Sequence, residues 1–162
     1  MQKVKFRGGT LLGPLPPVMV SCGDAEKSNI LTVAWTGILN TIPPKTYISV
    51  RPSRFSYGIL KEKGEFVLNL TPATLVRAAD FCGTYTGAKV DKFAKCRLTR
   101  QFVEEVAAPL IEECPVSLCC RVTDTAPLGS HEMFVADIVA VYADEELLDG
   151  KGKLHLEKAN LC

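Results

Sequence analysis

The run Ser49-Val50-Arg51-Pro52-Ser53-Arg54-Phe55-Ser56 carries the most suggestive chemistry in the chain. A β-prone stretch from Thr46 to Val50 ends at two arginines three residues apart, and Pro52-Ser53 opens a helix with Ser53 as the expected N-cap. The free N–H groups and dipole of a helix start attract anions. A guanidinium adds a planar fork matched to phosphate oxygens. Two readings fit this stretch alone: a phosphate pocket, or a capped helix whose arginines stand in water.

A second cluster is Asn29-Ile30-Leu31-Thr32-Val33-Ala34-Trp35-Thr36, where the single tryptophan stands among small and hydroxyl-bearing residues. A flat heteroaromatic ligand asks for apolar faces with a few polar groups at its rim, although a tryptophan alone is more often core. A third cluster runs from Asp80 to Phe93. Its Gly83-Thr84-Tyr85-Thr86-Gly87 segment suits a loop closing over a ligand, and Lys89 and Lys92 could add positive charge. A solvated surface loop is the plainer reading, above all for Lys92.

Other chemistries find no support. There is no Gly-x-Gly-x-x-Gly after a strand, no Gly-Lys-Ser/Thr phosphate loop and no Gly-x-Ser-x-Gly turn. The net charge of +1 gives no strongly basic face, so nucleic acid is not an expected partner. Apolar runs are strand-sized, and no signal peptide is expected at the start, so the reading is a cytoplasmic protein without a membrane partner. The seven cysteines are odd in number and include no Cys-x-x-Cys pair. Buried thiols acting as small hydrophobes fit better than a disulfide framework or a metal site.

The elements that must position these clusters form one domain over residues 1–162. Strands are expected at 17–22, 30–37, 46–50, 65–70, 115–123 and 131–142, with a polar turn at 23–29 and a break at Pro43-Pro44. A helix follows Ser53 and ends at Gly64; a second starts at Thr71-Pro72, with Thr71 as cap, and stops near Gly83; a short helical turn covers 91–95. The acidic run Asp144-Glu145-Glu146 is expected to close the folded part. About six strands without strand–helix alternation predict a mainly β protein, an antiparallel barrel with short helices packed outside.

In order and spacing the three clusters resemble the flavin reductase-like family of FMN-binding split barrels, its flavoredoxin-like branch in particular. Further matches are Val18-Met19-Val20-Ser21 with Gly23, Glu65-Phe66-Val67-Leu68-Asn69, Asp80 with Cys82-Gly83, Val90-Asp91-Lys92-Phe93, Pro109-Leu110-Ile111-Glu112, Cys114-Pro115-Val116, and His131 before Phe134. The resemblance implies a six-stranded antiparallel split barrel that forms a homodimer, with one FMN near each subunit interface. It implies that Thr32, Ala34, Trp35 and Thr36 line the isoalloxazine, with Asn29, Val33 and Val50 among the cofactor-contacting positions. Ser49, Arg51, Arg54 and Ser56 would hold the ribityl phosphate, and Cys82, Gly83, Lys89 and Phe93 would close the site. His131 would look toward the reactive face of the flavin. The implied activity is electron transfer, as a flavoredoxin fed by a redox partner protein or as an NADH- or NADPH-dependent flavin reductase. A non-catalytic flavin-binding or storage β-barrel is the alternative. Glu26-Lys27-Ser28 departs from relatives that carry an arginine before the asparagine, and relatives often continue beyond Cys162.

Overall fold

A computed structural model describes all 162 residues. Its strands are β1 (Val18–Gly23), β2 (Ser28–Val33), β3 (Thr36–Thr41), β4 (Pro44–Val50), β5 (Glu65–Leu70), β6 (Arg100–Gln101), β7 (Leu110–Ile111), β8 (Val116–Pro127) and β9 (Glu132–Ala143). The α-helices are α1 (Phe55–Lys63), α2 (Val76–Thr84) and α3 (Lys92–Cys96). Seven strands form one antiparallel sheet in the order β2-β1-β5-β8-β9-β4-β3, and β6 pairs with β7 apart from it. The mainly β architecture with flanking helices agrees with expectation. The count of six does not: the main sheet of the split barrel has seven strands and is not closed, with β2 and β3 as its edges. No helix is long and apolar enough to cross a membrane.

The difference arises at Ala34-Trp35. The apolar run 30–37 reads as one strand, but the chain bends there and divides into β2 and β3. Trp35 stays tied to β4 all the same, because its carbonyl accepts from the Ser49 N–H at 3.0 Å. The remainder of β3 forms a hairpin with β4 across Ile42-Pro43, so the proline pair turns the chain while Pro44 already belongs to the next strand.

β1 shows how the core is divided. All six of its residues are buried, because it lies between β2 and β5 and is covered on both faces. Alternation sends Val18, Val20 and Cys22 into the main core, with Ile48, Phe66, Cys120 and Phe134. It sends Met19 to the opposite side, with Ala79 and Cys82 of α2 and Phe93 of α3. Ser21 also faces that side, where a polar knot forms. Asn69 Nδ2 donates to Ser21 Oγ and to the Met19 carbonyl, both at 2.9 Å, while Asn69 Oδ1 accepts from the Ile111 N–H at 2.9 Å and Ser117 Oγ at 2.8 Å. Ser21 Oγ in turn donates to the Pro109 carbonyl. Buried polar groups of this kind are tolerable only when satisfied, and here they fasten the 97–113 segment onto the sheet.

α1 is placed by its two ends. Gly64 ends it with φ +65°, a left-handed conformation suited to glycine, and its N–H returns to the Leu60 carbonyl at 3.0 Å. On the side facing β9, Glu132 accepts from Lys61 Nζ at 2.8 Å and from the Tyr57 hydroxyl. The start of α1 differs from expectation. Ser53 lies in a turn closed by the Arg54 N–H on the Arg51 carbonyl at 3.0 Å, and Arg54 is the N-cap, with no side chain accepting from the first turn. Thr71 likewise caps nothing: a 3-10 turn at Ala73–Leu75 precedes α2, and the Thr71 hydroxyl is buried without a partner.

The chain also continues past the acidic run. Leu147 and Ala159 are buried against Val116, and the Cys162 N–H donates to the Thr71 carbonyl at 3.1 Å. The packed structure therefore does not stop at residue 146.

Candidate functional site

The turn between β4 and α1 brings Arg51 and Arg54 to the wall shared by two adjoining cavities of about 330 and 160 Å³. Arg54 is anchored: its Nη1 donates to the Gly83 carbonyl at 3.1 Å, which joins the start of α1 to the end of α2. The Arg51 side chain has no hydrogen-bond or ion-pair partner within the chain, so its guanidinium is free for a ligand.

The larger cavity is polar. Ser53 and Ser56 line it from the start of α1, Asn29 from β2, Cys82 from α2, and Thr84 through Gly87 from the loop that follows. Asn29 Nδ2 donates to Ser56 Oγ at 2.8 Å, and both residues are buried. Gly87 packs so closely that a Cβ there would stand 2.3 Å from Asn29 Oδ1. Only glycine allows the loop to lie on this asparagine. Phe81 and Tyr85 stack with centroids 4.3 Å apart, which stiffens the exit from α2.

The smaller cavity is lined by Thr32, Val33, Ala34 and Trp35 on one side, Ser49 and Val50 on another, and His131 at the head of β9. Trp35 is 40% exposed, and its ring lies 4.6 Å from that of His131 at 39°. Val33 and Val50 belong to the main core and meet the cavity from beneath. Thr32 Oγ1 donates to the Ala79 carbonyl at 2.5 Å, so β2 is held against α2 just where it begins to bend. Thr36 lies one step further on, in an apolar recess of about 250 Å³ with Trp35, Leu12, Leu15 and Tyr47.

Charge is concentrated at the polar end. His131 is driven below the ordinary histidine range, first by burial and then by the Arg51 and Arg54 charges. Its ring is thus an uncharged hydrogen-bonding group at neutral pH, with Nδ1 at 2.9 Å from Ser130 Oγ. Burial pushes the Cys82 thiol up to about 12, so this cavity-wall sulfur is a neutral thiol and not a nucleophile. Cys22, Cys114, Cys119 and Cys120 are also buried and unpaired, packed as apolar side chains.

Most of the positions singled out from the sequence thus converge. Asn29, Arg51, Arg54, Ser56 and Cys82 meet on the polar cavity; Thr32 to Trp35, Ser49, Val50 and His131 meet on the other; Gly83 contributes its carbonyl to Arg54. Lys89 stands apart, on an open hollow of about 520 Å³ between the 25–29 turn and the 87–91 loop. Phe93 lines neither of the two cavities: its ring is fully buried in the second core and covered by the Arg100 guanidinium, 4.1 Å from the ring centroid. The largest departure is Lys92. In place of a solvated residue, it is 4% exposed, and its Nζ donates to the Ile30 and Cys82 carbonyls, each at 2.6 Å. Its place in the Val90-Asp91-Lys92-Phe93 match carries no mark of burial, which comes from α3 docking beneath β2.

The family model described as "Flavin reductase like domain" matches residues 13–157. An uncharacterised protein of Archaeoglobus fulgidus is 34% identical over 140 residues, covering 86% of this chain and 78% of the other. The NADPH-flavin oxidoreductase of Streptomyces viridifaciens is 27% identical over 151 residues, with 92% and 72% covered. Among solved structures, flavoredoxin of Desulfovibrio vulgaris (Miyazaki F) superimposes with a TM-score of 0.89 at 31% identity, covering 98% of this chain and 85% of the other.

Proposed function

The chain belongs to the flavin reductase-like family, and on that premise we propose that it binds FMN across the two adjoining cavities and works in electron transfer. The observation that carries this reading is the unpaired Arg51 beside the anchored Arg54, on the wall common to a polar cavity and a tryptophan-lined one. A flavin mononucleotide needs that pairing, a cationic cradle for a phosphate next to a flat apolar slot. The start of α1, with Ser53 and Ser56, supplies further donors for the phosphate. The cavities and residue types fit the group.

Bound flavin supplies the redox chemistry, accepting and releasing electrons. The chain's own part is position and electrostatics. Arg51 and Arg54 hold the phosphate end without reaching the redox-active rings. Thr32 to Thr36 and Ser49 present backbone and hydroxyl groups along the slot, and neutral His131 sets its far edge. Side-chain nucleophiles are not required.

Two donors fit such a site. A flavoredoxin-type carrier takes electrons from a protein partner, and the likeness to flavoredoxin supports that form. An NADPH- or NADH-dependent reductase is supported by the likeness to an NADPH-flavin oxidoreductase. The half-exposed Trp35 and the exposed Ile38, Leu39 and Ile42 of the neighbouring hairpin favour a homodimer that covers the slot. Seven unpaired thiols suit a reducing cytoplasm.

The test is spectroscopic. The purified protein is expected to be yellow or to turn yellow with FMN. Anaerobic bleaching by NADPH or NADH identifies a reductase; bleaching only by a reduced protein donor identifies a carrier; colour without any reduction leaves a storage barrel. A protein that takes up no flavin refutes the proposal.

A further inference from the structure

We propose that residues 2–7 form an exchanged arm, which pairs as an added strand with the open edge of β3 in a second copy of the chain. This rests on the homodimer reading above and names the segment that joins the two subunits. The contact has two halves: a strand pattern without a sheet at the start of the chain, and an uncovered strand edge beside the Trp35 slot.

In Gln2-Lys3-Val4-Lys5-Phe6-Arg7 basic and apolar residues alternate, the pattern of a strand with one face covered and one in water. Residues 1–9 nevertheless have no regular structure and are all exposed, and none takes part in a hydrogen bond or ion pair within the chain. Val4 and Phe6 are left in water, so the apolar face gains nothing from the alternation. The base of the arm, by contrast, is placed: Thr10, Leu12 and Leu15 line the recess with Trp35, Thr36 and Tyr47 at the start of β3. Gly8-Gly9 lies between this base and residues 2–7 and supplies the flexible joint that exchange requires.

Of the two sheet edges only β3 is open. Along β2 the Ile30 carbonyl accepts from Lys92 Nζ and the Thr32 hydroxyl donates to the Ala79 carbonyl, so α2 and α3 occupy that edge. β3 carries no charge and no proline, the usual guards of a free edge, and Ile38 through Thr41 are exposed. Its one irregularity is a register shift against β4 between Ile38 and Asn40. No backbone group of β3 finds a partner outside its hairpin with β4. A second copy is the occupant that both features select. Each copy carries one arm and one open edge, so a two-fold exchange satisfies both at once and closes the assembly. Two arms are poor partners for one another, because Lys3, Lys5 and Arg7 would set like charges opposite, whereas uncharged β3 meets no such repulsion. Strand addition supplies main-chain hydrogen bonds and brings Val4 and Phe6 beside the exposed apolar residues of the hairpin. Because β3 leads out of the bend at Trp35, the added strand also braces the wall of the flavin slot.

The experiment uses the full chain. Unlabelled and isotope-labelled protein are mixed, equilibrated and treated with a short amine-reactive cross-linker, and the linked peptides are read by mass spectrometry. Lys45 stands opposite Asn40 of β3 and reports on an arm at that edge. Links from Lys3 or Lys5 to Lys45 that join a labelled chain to an unlabelled one are expected. Links confined to one isotope place the arm on its own subunit and overturn the exchange. In parallel, sedimentation over a concentration series follows self-association of wild type, of Val4→Asp with Phe6→Asp, and of Lys5→Pro, which removes a main-chain donor. These positions lie outside the buried core, so the variants are expected to fold. Each variant is expected to raise the dimer dissociation constant by about tenfold or more, the scale of losing a buried interface side chain. Unchanged self-association in the variants, or a dimer without any link from the arm to Lys45, refutes the arm while the homodimer reading stands. A wild type that stays monomeric refutes both.

Discussion

The two ends of the candidate site are built on opposite plans. The polar end draws on distant parts of the chain, Asn29, Arg51 to Ser56, Cys82 to Gly87 and Lys92, and binds them together through side chains. Arg54 reaches Gly83, Asn29 reaches Ser56, and Lys92 reaches the Ile30 and Cys82 carbonyls. The tryptophan end is mostly backbone: the bend at Ala34-Trp35, held to β4 by the Ser49 N–H, with Trp35 leaning on His131. One end is a preorganised set of charges, and the other is a shaped slot. Preorganised charge discriminates among ligands by what they carry, whereas a slot discriminates by flatness and area.

That contrast is open to direct attack. The largest effect is expected from removing the two arginines. In Arg51→Ala with Arg54→Ala, FMN affinity should drop by about a hundredfold or more, since two charge-assisted contacts are lost. Riboflavin affinity should change by no more than about threefold, as no charged contact to it is removed. Parallel titration of the two ligands checks this, and an unchanged FMN affinity would show that the arginines hold no phosphate. A smaller effect is expected at the other end. Trp35→Ala should weaken FMN and riboflavin alike, by about tenfold for the loss of one aromatic face. If it weakens FMN alone, the division of labour between the ends is wrong.

How far this contrast could be read from sequence follows from the range of the interactions involved. Arg51 and Arg54 were visible because strand, turn and helix start are consecutive. Gly64 marked the helix end because a left-handed residue there favours glycine. β1, β4, β5, β8 and β9 were visible from their apolar and β-branched runs. Misreadings came where a local signal was overridden. The run 30–37 holds no Gly or Pro before Gly37, so its bend at Trp35 has no local mark. Ser53 has the right type for a cap, but the turn closed on Arg51 delays the helix to Phe55. In β8 the apolar residues alternate at 116, 118, 120 and 122, as for a strand with one buried face, yet Ser117 and Cys119 are buried as well. The cause is long-range: Val106, Ala108 and Leu110 cover the outer side, and Asn69 engages Ser117. Lys92 belongs to the same class, since its burial comes with the docked α3.

The smallest expected effect links the two ends. His131 faces Trp35 and Ser130 and feels Arg51 and Arg54 across the cavity. Its folded-state pKa is lowered, so its cation is disfavoured in the native protein. Between that lowered value and the ordinary 6.5, the unfolded chain binds a proton that the folded one refuses, and stability must fall as pH falls through this window. Wild type is therefore expected to lose stability relative to His131→Gln on acidification below about 6.5, and to match its trend above that. Thermal denaturation of both proteins from pH 5 to pH 8 measures the difference. A bound phosphate would neutralise the arginines and let the His131 pKa rise toward its ordinary value, which NMR titration of the ring proton can follow with and without FMN. Burial, the first cause of the shift, is unrelieved by phosphate, so only part of the depression should disappear. No movement at all would mean that the charged end does not reach the slot, and that each end acts on the ligand alone.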